Sequence, residues 1–304
     1  MEGATQAPEI EMIDDLQQKI QEVIDFLPPI PAVMTELLHA LSDKDIELRA
    51  LASIISKDPL MSMNVLKVSN SAFYRLPNKV ETVDRAVKLL GIKEITGICI
   101  ACGAYQALKP SKNLETFDLN DFWRHSVATG VVSRRLSQAL EILDHNVLYF
   151  LGLLHDVGKV VLDRVVHDTY KAVIQTTREE NITIREVEKR LIGESHDVVG
   201  GWLMEKWKLP GTFVDVAKYH HTVKESSEDN MAAVAIISFA DRLSWIHHFN
   251  LESNFDVTLL TEHDAYLFLE EITDNIDEVD LGKFMQELDS ANEEIDEMTR
   301  ILQS

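Results

Sequence analysis

Apolar residues return every three or four positions along almost the whole of this 304-residue chain, and no stretch keeps the strict alternation of a half-buried strand. That feature confines the chain to helical packings. Residues 13–26, IDDLQQKIQEVIDF, set the pattern, with Ile13, Leu16, Ile20, Val23 and Ile24 on one side. Turn residues are scarce as well. Only 12 Gly and 8 Pro occur, against average usage of roughly 7% and 5%. The expected fold class is all-α.

Punctuation along the chain divides the helices. Leu27-Pro28-Pro29-Ile30-Pro31 forces an extended break, because a proline disfavours helix in the residue before it. A second helix is expected near Pro31, carrying Val33, Leu37, Leu38 and Leu41, and another over about 46–56. Asp58-Pro59 reads as a capped start with proline in the first turn. Thr82-Val83-Asp84 opens a further helix that Gly91 should end. The segment ITGICIACGAYQAL (95–108) is nearly all apolar, too short for a bilayer, and suits a core. From about 120 to 249 helical patterns recur, with breaks at 143–146, 163–168, 180–183, 209–212 and 222–229. The polar run 109–113 is the expected boundary between lobes. The expected organisation is a flexible 1–12, an N-terminal helical lobe over 13–112, a second helical lobe over 113–250 and an amphipathic helical extension over 251–304.

Charge separates the extension from the body. Lys and Arg number 29 and Asp and Glu 51, a net −22. Residues 251–304 hold 16 carboxylates against Lys283 and Arg300 alone, yet Leu259, Leu260, Tyr266, Leu269, Phe284, Leu288, Ile295 and Met298 recur at helical spacing there. The balance opposes phosphate-backbone and anionic-membrane binding, so nucleic acid and membrane are not expected partners. MEGATQAPEI shows no basic start followed by an apolar run, and no 18-residue apolar stretch occurs, so the cytoplasm is the expected compartment. Cys99 and Cys102 make no disulfide framework and are expected as buried, inert thiols. Trp123, Trp202, Trp207 and Trp245 are expected in helix packing, and Asn70-Ser71 in helix-end hydrogen bonds.

Chemistry concentrates in a few polar residues set in apolar helices. His125 lies in FWRHS, His155 and Asp156 in LLHDVGKVVL, His196 in GESHDVVGGWL, His220 and His221 after VAKY, and Asp241 in VAIISFADRL. An unpaired carboxylate in such surroundings costs several kcal/mol. Two carboxylates and several imidazoles can satisfy each other through a cation, and that donor set suits Fe, Mn, Zn or Ni, with Asp156 able to bridge two ions. Buried His–Asp hydrogen bonds without metal are the alternative reading of the same residues.

The ordered set resembles the HD superfamily of metal-dependent phosphohydrolases. There a first His precedes a His-Asp pair and a distant Asp completes one metal site, as His125, His155-Asp156 and Asp241 do here. His196 and His220-His221 resemble the HD-GYP branch, which adds a second site. That similarity implies one ion on His125, His155, Asp156 and Asp241, and another on Asp156, His196, His220 and His221, with Fe or Mn favoured. It also draws attention to Asp121, one turn before His125. More closely, the chain resembles the HDOD family. The marks are the Leu-Pro-rich opening at 27–31, IISKDPLMSMNVLKVSNSAFY (54–74), RAVKLLG (85–91), FWRHS (122–126), GLLHDVGK (152–159) and EKWKLPGTF to AKYHH (205–221). This resemblance spans about 20–250. It implies an N-terminal helical lobe packed on an HD-like lobe and a signalling or regulatory role, with a signalling protein or a phosphate-containing small ligand as partner. A metal-dependent phosphohydrolase is the alternative, in which Lys159 would contact a phosphate oxygen. The chain departs from HD-GYP after His221, where TVKESSEDN replaces the Gly-Tyr-Pro stretch, and this argues against cyclic di-GMP hydrolysis.

Overall fold

The structure is a computed structural model and describes residues 7–27, 29–41, 46–109, 118–248, 258–273, 276 and 279–303. Every regular element among the described residues is helical. The expected boundary at 109–113 lies outside the described residues apart from Lys109.

The first five helices are α1 (Ala7–Phe26), α2 (Ala32–Ala40), α3 (Leu48–Ile55), α4 (Pro59–Ser69) and α5 (Val83–Leu108). The α1 helix begins at Ala7, inside the segment 1–12 expected to be flexible. Asp58 caps α4 by accepting from the amides of Leu60 and Met61, at 2.9 and 3.0 Å. At its other end Asn70 and Ser71 take the expected hydrogen-bonding role: Asn70 Nδ2 donates to Leu66 O and Val80 O, and Ser71 Oγ to Val68 O. Gly91 ends the first helical run, as expected. It breaks α5 with φ 83°, a region glycine enters without steric cost, and a new helical run follows at once. That run, containing 95–108, buries Ile95, Ile98, Cys99 and Cys102 as expected.

Eight α-helices follow: α6 (Leu119–Leu140), α7 (His145–Leu154), α8 (Val157–Val165), α9 (His167–Glu180), α10 (Ile184–Leu191), α11 (His196–Lys206), α12 (Gly211–Tyr219) and α13 (Met231–His248). Three lean on one another through α6 against α7 and α13, and α11 joins α8 to α12. The two groups are stitched together. Arg164 of α8 donates to the carbonyls of Ala107, Leu108 and Lys109, a cation at the carbonyl end of α5. Gln17 of α1 donates to Gly193 O at 2.8 Å. Breaks at 155–156 and 192–195 escaped the reading: apolar residues continue across the first, while the second is marked by Gly193, with φ 88°, and the polar Glu194 and Ser195. Trp123 and Trp207 are buried, but Trp245 is 46% exposed: it sits on the α13 side turned away from the core that Phe239 and Leu243 face.

The acidic extension forms α14 (Thr258–Thr261), α15 (Asp264–Ile272), α16 (Leu281–Asp289) and α17 (Asn292–Gln303). It folds onto the body: α15 packs on α13, and α17 crosses α4, α5 and α6. Ile295 and Met298 are buried. Arg124 of α6 pairs with Asp296 and Asn292 at 2.9 Å, and Arg135 with Glu294 at 3.3 Å. Burying two such apolar side chains is worth about 1.5–3 kcal/mol each. Deleting residues 290–304 is therefore expected to cost about 3–6 kcal/mol and to lower solubility, read as a fall in the urea midpoint. An unchanged midpoint would make α17 a tethered helix and no part of the fold.

Candidate metal centre

The polar residues of the centre stand mostly at helix ends, where backbone groups free of helical bonding help orient them. His155 follows the last residue of α7 and Asp156 precedes the first of α8. His196 opens α11, while His220 and His221 follow α12. His125 and Asp241 sit inside α6 and α13. The expectation that each lies within a helix therefore holds for His125, His196 and Asp241 and fails for the other four. All seven converge. His125, His155, Asp156 and Asp241 bring one donor atom each within 4.8 Å of one another, and so do His196, His220 and His221.

Asp156 lies between the two sets. Its Oδ2 is 3.4 Å from His155 Nε2, and its Oδ1 is 3.2 Å from His196 Nε2 and 3.5 Å from His220 Nε2. Asp241 Oδ1 is 2.9 Å from His125 Nε2 and 3.4 Å from His155 Nε2. His155, Asp156, His196 and His220 are at most 1% exposed. The opposite side opens to solvent, with His125 and Asp241 side chains 13% and 21% exposed and His221 exposed.

Three of the histidines are held by the same device. His155 Nδ1 donates to Gly152 O at 2.7 Å, and His220 Nδ1 to the carbonyls of Val216 and Ala217 at 3.1 and 2.9 Å. His196 Nδ1 donates to Glu188 Oε2 at 2.6 Å. An acceptor at Nδ1 keeps the proton there and leaves Nε2 a bare lone pair. In each case Nε2 faces Asp156. His155 Nε2, His220 Nε2 and Asp156 Oδ1 are buried and have no hydrogen-bond partner. Buried groups left in that state cost about 1–3 kcal/mol each. Buried nitrogen and oxygen atoms converging without partners of their own are what a cation needs, so the residues fit a metal.

The charges agree. Burial pushes Asp156 up, but His155, Lys159 and His196 together hold its carboxyl well below the usual range. Asp241 is likewise held down against burial by the hydrogen bond from His125 and by His155 beside it. Both are anionic at neutral pH. Burial disfavours charge on His196, yet Glu188 and Asp156 raise its pKa to about 9, so an ion at Nε2 would take the place of a proton.

Lys159 is engaged differently from expectation. Its ammonium pairs with Asp156 Oδ2, three residues back and just before α8 begins, so it braces a carboxylate of the centre. Asp121 is exposed and joins neither donor set. Sequence reasoning missed two residues that touch the centre. Glu188, on α10, is fully buried although it stands in the charge-rich IREVEKRL, and Tyr170 of α9 donates to its Oε1 at 3.2 Å. It also missed Asp197, beside His196, which is buried and pairs with Arg185 at 2.9 Å. The second His-Asp dipeptide, His196-Asp197, was the available signal.

Comparison with known proteins places this geometry in context. The structure is similar to that of an HDOD domain protein of unknown function from Geobacter sulfurreducens, at 24% identity and TM-score 0.75, covering 95% of this chain and 99% of that one. It is similar also to a protein of Shewanella amazonensis SB2B provisionally described as a phosphohydrolase, at 22% identity and TM-score 0.72, covering 93% and 98%. An uncharacterized protein of Treponema pallidum (strain Nichols) is 24% identical over 230 residues, 74% of this chain and 44% of that protein, so this chain spans less than half of that relative. The HDOD domain matches residues 27–223, from the proline-rich opening to just beyond the His220-His221 pair. With its helices, its motifs and that match in agreement, the chain belongs to the HDOD domain family.

Proposed function

We propose that this protein is a regulatory HDOD protein built around a two-ion centre, with Fe or Mn as the favoured metals. One observation carries the reading: three histidines anchored through Nδ1 point Nε2 at a single buried aspartate, and three of the atoms that meet there have no partner. One ion would be held by His125, His155, Asp156 and Asp241, the other by Asp156, His196, His220 and His221. Divalent ions, when bound, supply Lewis acidity and neutralise phosphoryl charge. The chain's own residues orient the donors and keep water from their buried side, while His125, Asp241 and His221 leave one side open to a ligand.

A phosphohydrolase is the second reading, supported by the complete donor set and that open side. Against turnover stand two features. Lys159, the expected phosphate contact, is already paired with Asp156. The chain beyond His221 turns into a short 3₁₀ segment, Val223–Glu225, without a glycine in 222–230 to let backbone close on a phosphate. Catalysis needs the reacting phosphorus held in line, not ligands alone.

The expected result is one to two equivalents of transition metal in purified or reconstituted protein, with negligible turnover of cyclic dinucleotides, nucleotides and a generic phosphodiester. A rate above about 1 s⁻¹ that Asp156→Ala abolishes would establish the hydrolase in place of the regulator. Failure to bind any of Fe, Mn, Zn or Ni would overturn the metal centre.

A further inference from the structure

Glu188 has no counterpart among the expected donors, yet it is the most deeply committed carboxylate near the centre. Its side chain is 0% exposed. Oε2 accepts both the backbone N–H of His196, at 2.9 Å, and its Nδ1–H, at 2.6 Å. Oε1 accepts the Tyr170 hydroxyl at 3.2 Å. No lysine or arginine forms an ion pair with it among the described residues, whereas buried Asp197 next door has Arg185 and Asp156 has Lys159. A fully buried carboxylate without a cation costs several kcal/mol. The group in direct contact that answers its charge is His196, and through His196 whatever Nε2 binds.

The two donor sets differ in charge. The first includes Asp241 as well as the shared Asp156. The second offers three imidazoles and only a share of Asp156. A dication among neutral rings in a buried place is undercompensated. We infer that Glu188 is the positioning residue of the second set: through the His196 imidazole it supplies the negative charge that set lacks, and Tyr170 aims it. This inference rests on the metal reading above. Geometry supports it on both counts. The two bonds from one residue to Oε2 clamp the ring and the start of α11 together, so ring orientation and helix position cannot drift apart. The acceptor at Nδ1 also forces the tautomer in which Nε2 is a donor to metal. His155 and His220, by contrast, are anchored on neutral carbonyls, which orient a ring without adding charge.

The test is Glu188→Gln in the full chain, an isosteric change that keeps an acceptor for Nδ1–H and removes the charge. Mn²⁺ titration by calorimetry is expected to give two equivalents for the unaltered protein. For the variant it should give one unchanged equivalent and one weakened about 10- to 100-fold, the usual loss on removing an outer partner of a ligating histidine. Co²⁺ substitution should show the same halving in its visible absorption. A purely structural Glu188 would lower thermal stability with and without metal alike and leave both affinities as they were, and that result would overturn the inference. Tyr170→Phe keeps the carboxylate and removes its aim, and it decides the matter if Glu188→Gln does not fold. The second ion should then weaken severalfold, and unchanged binding would again overturn the proposal. Unaltered protein that takes up no Mn²⁺ or Co²⁺ would remove the metal reading itself, a result distinct from two unchanged affinities in the variants.

Discussion

Replacing Asp156 by alanine is expected to abolish uptake of both ions, the largest single effect available at this centre. Its two oxygens face opposite donor sets, Oδ2 toward His155 and Oδ1 toward His196 and His220. No other carboxylate among the described residues lies between them. The loss should exceed the roughly 10- to 100-fold that removal of an outer partner brings. It also strands Lys159, whose ammonium pairs with the same carboxylate. Metal that binds only the folded state stabilises it by about 2.7 kcal/mol at a hundredfold excess over Kd. The variant should therefore melt at one temperature with and without Mn²⁺, where the unaltered protein gains several degrees. A variant that retains one tight equivalent would show that one set holds its ion without Asp156.

Gly158→Ala is expected to damage both stability and the centre. A β-carbon on Gly158 would lie 1.9 Å from His196 O and 2.7 Å from Gly200 N, both backbone atoms of α11. Backbone cannot rotate away as a flexible side chain can, so α8 and α11 would have to part. Overpacking of this kind costs about 3 kcal/mol. The displacement would fall on His196, the first residue of α11, and pull it from both Asp156 and Glu188. Urea unfolding and Mn²⁺ titration should fall together. Gly211→Ala is the control, because nothing lies within 4 Å of a β-carbon there. It should be neutral or stabilising by about 0.4–1 kcal/mol through the unfolded chain. Equal effects at the two positions would show that close approach at Gly158 is not what holds the helices.

Much of the molecule was legible in advance, and for local reasons. The start of α4 was readable because Asp58 and Pro59 act within one turn, on the amides of Leu60 and Met61. The burial of 95–108 followed from residues apolar on every side, and the docking of the acidic extension from apolar spacing that a solvated tail has no reason to keep. The seven donors were legible as types: histidine and aspartate set in apolar helices ask for partners, whatever the fold. The break at 155–156 was missed because helix periodicity reports which side is apolar and not whether the backbone continues. Trp245 was misread because an indole at helical spacing can still fall on the outer side.

Composition, periodicity and capping thus determined an all-helical chain and its main segments, since each depends on neighbours within a turn or two. The tertiary structure alone decided that Asp156 stands between two donor sets, that Lys159 braces it, and that Glu188 and Tyr170 stand behind His196. The reason is physical. Glu188 sits in a run of charges that any local rule assigns to solvent, and it is buried because α9, α10 and α11 close over it. Closure of that kind depends on where whole helices dock, which is the sum of many distant contacts and is written in no single stretch of residues.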